Sequence, residues 1–115
     1  MVSKQRHIRQ FEAVQCAFES VSMTPAKWRQ KSYGGLKNKY SDNASKKYAI
    51  IYTLKWELRL THESLAYILG VSTFMVSKAI QFVVDEMSFG DEKRCEEIKE
   101  YIKQIENNLK QLKEQ

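Results

Sequence analysis

At 115 residues the chain suits one compact domain and leaves little room for a second. A hydrophobic share of 43% with 11% aromatics excludes wholesale disorder, and one proline with four glycines points to an all-helical domain. The formal charge is +5 but uneven: residues 1–84 hold 13 Lys/Arg against 5 Asp/Glu, whereas residues 85–115 hold 6 against 9. That split reads either as a soluble basic protein with an acidic tail, or as a basic body that holds phosphate and turns an acidic helix away from it.

In chain order, Ile8, Phe11, Val14, Cys16, Phe18 and Val21 lie mostly at helical spacing, which predicts a first helix from about 4 to 21. The N-terminal stretch "MVSKQRHIRQFEAV" is interrupted by charges throughout and lacks a signal-peptide core, so a cytoplasmic location is expected. Cys16 and Cys95 stand far apart, with His7 and His62 not at finger spacing, and read as reduced core thiols. Thr24 followed by Pro25 marks the N-terminus of a short helix.

Residues 32–45, "SYGGLKNKYSDNAS", form a turn-rich basic loop, long for a linker inside a compact domain. Lys27, Arg29, Lys31, Lys37, Lys39, Lys46, Lys47 and Lys55 surround it, with Tyr33 and Tyr40 interleaved and Asp42 the one nearby acid. Lysines beside glycines suit a segment that lies along a phosphate backbone, and Lys31, Lys37, Lys39, Lys46 and Lys47 are the expected phosphate contacts. A solvated surface loop is the plainer alternative. Ala49, Ile50, Tyr52, Leu54, Trp56, Leu58 and Leu60 then cover most of a helix circumference, as a central helix requires.

Thr61 can cap a short helix whose buried face is Leu65, Ala66, Ile68 and Leu69, with Glu63 in its first turn and Gly70 at its end. Ser72 can cap the following helix, expected over 72–85. Counted from His62, the fifth residue is Ala66, the ninth Gly70 and the fifteenth Val76. This is the spacing of a helix-turn-helix over 61–85: a small residue at the crossing, a positive-φ residue in the turn and an apolar wedge behind them. Two packed helices with an ordinary Gly-Val turn would share the pattern. The outward positions of the second helix are Ser72, Thr73, Phe74, Ser77, Lys78 and Gln81, the candidate base contacts. Thr73, Ser77 and Gln81 can hydrogen-bond base edges, Gln81 suits adenine, and Lys78 suits guanine or phosphate. Phe74 fits a thymine methyl, a protein surface or the core.

After a break at Ser88 to Gly90, Cys95, Ile98, Ile102, Ile105, Leu109 and Leu112 alternate at spacings of three and four. This single stripe packs onto the domain's own core or, as the alternative, joins a second copy through Ile98, Ile102, Ile105 and Leu109. The expected organisation is therefore an all-α, compact helical domain over 1–90 with a central helix-turn-helix, followed by a long C-terminal helix over 91–115.

"LAYILGVSTFMVSKAI" resembles the helix-turn-helix of lactose-repressor-type regulators. The order of parts, "FEAVQCAFE", "TPAKWRQKS", a basic loop, "KKYAIIYTLKWEL", the steep pair and "DEKRCEEIKEYIKQIENNL", resembles the C-terminal DNA-binding domain of the replication initiator DnaA, in the Trp-repressor-like group. "KKYAIIYTL" looks like that family's "RQIAMYLA", and Tyr52 precedes Gly70 by a similar interval. The resemblance implies an all-helical fold, double-stranded DNA as partner and a basic loop at the minor groove or backbone, where Lys37, Lys39, Lys46 and Lys47 stand here. It does not extend to the family's Arg-Asp-His-Thr-Thr-Val run after the glycine. Here Val71, Ser72, Thr73, Phe74, Met75 and Val76 follow, one residue fewer, and Thr73 and Val76 alone carry over. With no P-loop and no room for an ATPase domain, a whole initiator is not expected.

The expected function is that of a sequence-specific double-stranded DNA-binding protein, a small regulator of transcription or an accessory factor of replication or a mobile element. The alternative is a protein–protein interaction module using Phe74, Met75 and the C-terminal stripe. No enzyme, cofactor or metal is expected, since no nucleophile–base pair, ligand cluster or phosphate-cradling glycine motif is present, and Glu57 and Glu63 read as surface carboxylates.

Overall fold

The computed structural model describes residues 9–29 and 42–114. Among them are six helices and no strand: α1 (Gln10–Ser20), α2 (Pro25–Arg29), α3 (Asp42–Leu58), α4 (His62–Leu69), α5 (Thr73–Phe89) and α6 (Glu92–Lys113). The all-α expectation holds. No single described helix is long and apolar enough to cross a membrane.

α1 starts at Arg9, whose backbone N–H donates to Glu12 Oε1 at 3.3 Å. Its buried face is Ala13, Ala17 and Val21, one turn apart, while Phe11 stays exposed. Of the residues that predicted this helix, Val21 joins that face and Val14, Cys16 and Phe18 pack beside it, while the alanines let the helix approach its neighbours closely. Ser22 takes the left-handed conformation that reverses the chain, and Met23 N–H returns to the Phe18 carbonyl at 2.8 Å. Thr24 caps α2 as expected, accepting from Lys27 N–H at 3.2 Å.

α3 is the central helix. Ala44, Tyr48, Ala49, Ile50, Ile51 and Leu54 are buried, and α1, α4, α5 and α6 all pack on it. Trp56, expected inside, is instead exposed, with Tyr52 edge-on to it and the Lys55 ammonium 6.0 Å from its ring centroid. α6 runs parallel to α3, as two contacts along their length show: Lys46 lies over the Tyr101 ring, and Lys113 pairs with Glu57 at 3.3 Å. α1 also packs on α6, with Asn108 donating to Ser20 Oγ at 2.8 Å.

The α6 stripe faces this core. Ile98, Ile102, Ile105 and Leu109 are 0, 7, 0 and 1% exposed within the single chain. Of the two roles open to them in the sequence, these four side chains serve the chain's own packing, and a seam to a second copy would have to open that core. Cys16 and Cys95 are free and half-buried rather than fully enclosed, and burial raises the Cys16 thiol above its ordinary pKa, against the hydrogen bond with Ser20.

α5 runs four residues beyond the expected Asp85. Glu86 is buried on it and paired with Arg94 of α6 at 3.3 Å, so the helix gains a reason to continue through a polar position. Gly90 then ends it with its N–H on the Glu86 carbonyl at 3.0 Å. A Cβ at Gly90 would lie 2.6 Å from that carbonyl oxygen, so the joint admits no larger residue without moving. Asp91 starts α6 directly afterwards, accepting from Lys93 and Arg94 N–H.

Replacing Ile105 by alanine should lower stability by about 2–5 kcal/mol, the range for an aliphatic deletion in a closed core. Urea unfolding followed by far-ultraviolet circular dichroism checks this, with exposed Lys103→Ala as a control expected within about 0.5 kcal/mol of the parent.

Candidate nucleic-acid interface

Between α4 and α5 the chain bends through 105° across Gly70, Val71 and Ser72. Each residue of that turn has a mechanical task. Gly70 sits at φ +68°, a left-handed conformation in which a Cβ is strained. Gly70 N–H reaches the Tyr67 carbonyl at 3.3 Å and Val71 N–H the Ala66 carbonyl at 3.0 Å, the double closure that finishes a helix and redirects the chain. Ser72 Oγ then accepts from Met75 N–H at 3.0 Å and opens α5. Upstream, Thr61 caps α4 by accepting from Ser64 N–H at 3.1 Å.

Inside the bend, of the apolar wedge read from the sequence Leu65, Leu69, Val76 and Ala79 are buried and Val71 and Ile80 half-buried, with Ala66 buried at the crossing. Outside it, Ser72, Thr73, Phe74, Ser77, Lys78 and Gln81 are all exposed. Phe74 is 73% exposed, which removes the core role considered for it, whereas Met75 is partly buried and packs against the core. From Ser72 to Gln81 this face carries no carboxylate. Two side-chain pairs order it. The Lys78 ammonium lies 5.8 Å from the Phe74 ring centroid, within cation–π range, and the Gln81 amide donates to Asp85 Oδ1 at 2.8 Å. Behind Lys78 and Gln81, Tyr48 and the C-terminal half of α5 border a groove of about 290 Å³ whose walls include Asp85 and Glu86, an unfavourable setting for phosphate.

The second layer of basic residues is arranged differently from expectation. Lys31, Lys37 and Lys39 lie outside the described residues. Lys46 and Lys47 are on adjacent positions of α3 and diverge: Lys46 is directed to Tyr101 of α6, and Lys47 lies 5.4 Å from the ring centroid of Trp28. Burial lowers the Lys47 pKa from the ordinary lysine value. Trp28 explains why Lys47 borders the turn. Its indole N–H donates to the Leu69 carbonyl at 3.0 Å, and its ring packs 4.8 Å from that of Phe18. Asn43 Nδ2 adds a bond to the Lys27 carbonyl at 3.1 Å. The indole bond ties α2 to the end of α4 and the Asn43 bond ties it to α3, with Lys27 and Arg29 exposed on α2.

Sequence reading placed Lys27 and Arg29 in the basic stretch but not among the phosphate contacts, because a tie spanning 41 residues leaves no local signature. It also passed over Tyr67, an exposed aromatic on α4 one turn before Gly70. Comparison with known proteins finds no matching family, no matching curated protein and no matching solved structure.

Trp28→Phe keeps the ring and removes the donor, leaving the Leu69 carbonyl short of a partner at a buried position. A loss of about 1–3 kcal/mol is expected in urea unfolding, the range for an unsatisfied buried polar group.

Proposed function

We propose that the chain is a sequence-specific double-stranded DNA-binding protein in which α4 and α5 act as a helix-turn-helix and α5 enters the major groove. The observation that carries this reading is the α5 face itself. Six side chains suited to base edges or phosphate stand exposed on one stripe, without a carboxylate, at the start of a helix set at 105° to its partner. Helix pairs at about 90–120° with a short glycine-containing turn are the geometry of that motif. The basic excess of residues 1–84, the Lys47 ammonium near Trp28 and the exposed Lys27 and Arg29 on the helix tied to Leu69 support the electrostatic half.

In this reading the roles divide by chemistry. Thr73, Ser77 and Gln81 offer hydrogen bonds to base edges, and Gln81, with one amide hydrogen held by Asp85, presents its carbonyl and its second N–H outward. Lys27, Arg29 and Lys47 hold phosphates of the flanking backbone and set the register of α5 without reading sequence. Lys46, directed to α6, is the weaker candidate of the expected pair. The layout resembling the DnaA DNA-binding domain supports a role in replication or regulation, with a different target, since the origin-box run is absent.

Binding to duplex DNA measured against salt separates these roles. Lys27→Ala/Arg29→Ala/Lys47→Ala should weaken binding across all sequences and flatten the logarithmic salt slope by about two to three. Ser77→Ala/Gln81→Ala should leave the slope in place and relax sequence preference. A parent protein with no salt-dependent affinity for duplex DNA would refute the reading.

A further inference from the structure

Resting on the DNA-binding reading, we propose that Phe74 and Lys78 act as one unit that reads a 5-methylpyrimidine beside a guanine. Phe74 is the second residue of α5 and 73% exposed, where a side chain has no packing reason to be aromatic. Phenylalanine neither donates nor accepts hydrogen bonds. Among the features that base pairs present in the major groove, the pyrimidine 5-methyl group is the apolar one it can complement. Lys78 follows one helical turn later and folds back, its ammonium 5.8 Å from the ring centroid. The ring thus sets where the ammonium sits, and their separation is of the order of one to two base steps of about 3.4 Å. An ammonium is a donor without acceptor capacity, so at a base edge it favours guanine, which offers both N7 and O6, over adenine, whose N7 stands next to a donor. Lys78 is also the one cation on the exposed face from Ser72 to Gln81, so no neighbour on that face competes for the same position.

The methyl group has two sources. Thymine carries it as a normal base, and 5-methylcytosine carries it on a base that otherwise presents only the cytosine amino donor. Both put the same apolar group at the same place in the groove. The paired residues therefore select a chemical group together with its neighbour rather than a single letter.

The test uses the full chain and a duplex selected by it from a random-sequence pool, resynthesised with deoxyuridine at each thymine in turn. At one thymine, loss of the methyl should weaken binding about fourfold, the worth of one buried methyl group. Phe74→Ala should bind the thymine and uracil duplexes equally, and Phe74→Leu should retain the difference. Phe74 is exposed, so these variants keep the fold, which circular dichroism confirms. With that base pair changed to cytosine–guanine, adding a 5-methyl group to the cytosine should strengthen binding by a similar factor. A response at thymine alone still supports the methyl contact and confines its source. Lys78→Met should abolish the preference for the adjacent guanine. Equal affinity for thymine and uracil at every position overturns the proposal while leaving sequence-specific, salt-dependent binding intact. A uniform loss on Lys78→Met with unchanged preference assigns that lysine to phosphate and overturns the pairing. Failure to select or bind any duplex would instead remove the DNA-binding reading beneath it.

Discussion

A helix whose Ala49, Ile50, Ile51 and Leu54 are all fully buried can meet water only along a strip that includes Trp56, and the rest of the molecule is arranged to cover the remainder. α3 cannot be stable by propensity alone at this length, because a helix of about four turns gains most of its stability from what packs on it. Four helices supply that cover, each with a different kind of face. α1 brings small residues for close approach, α6 a row of isoleucines and leucines, and α4 and α5 the inner surface of their bend. The bend is steep because both of its helices must lean on α3 while only three residues join them.

Covering α3 in this way decides which surfaces are left over. On α5 the inward residues from Val76 to Val83 are committed to the core, so the polar serines, threonine and lysine are turned out together with Phe74. On α6 the outward face is mixed in charge, and its carboxylates lie on the helix that backs α1 and α3 rather than on the early turns of α5. One indole hydrogen bond, from Trp28 to the Leu69 carbonyl, ties α2 with its exposed Lys27 and Arg29 to the end of α4.

What the sequence discloses here is mainly local. Thr24, Thr61, Gly70 and Ser72 were legible because capping and positive φ depend on a residue and its neighbours within one turn of chain. The six outward residues of α5 followed from period alone once its start was known. On α1 periodicity brings forward the bulky residues, whereas the fully buried contacts also use Ala13 and Ala17, which carry little hydrophobic signal. The end of α5 was misjudged because Glu86 looks like a surface residue until Arg94, on the next helix, gives it a partner. Trp28 reaching Leu69 and the divergence of Lys46 from Lys47 are tertiary facts, set by where α2 and α6 come to rest.

The placement of α6 also bears on how the chain folds. Its residues close the seam formed by α1 and α3, and the bond between Ser20 and Asn108 joins positions 88 apart. Until α6 docks, Ala13, Ala17 and one side of α3 lack this cover. Contacts so distant in sequence form only after the chain between them has been drawn together, so the seating of α6 in the groove between α1 and α3 is a loop-closing step that costs entropy before its apolar contacts repay it.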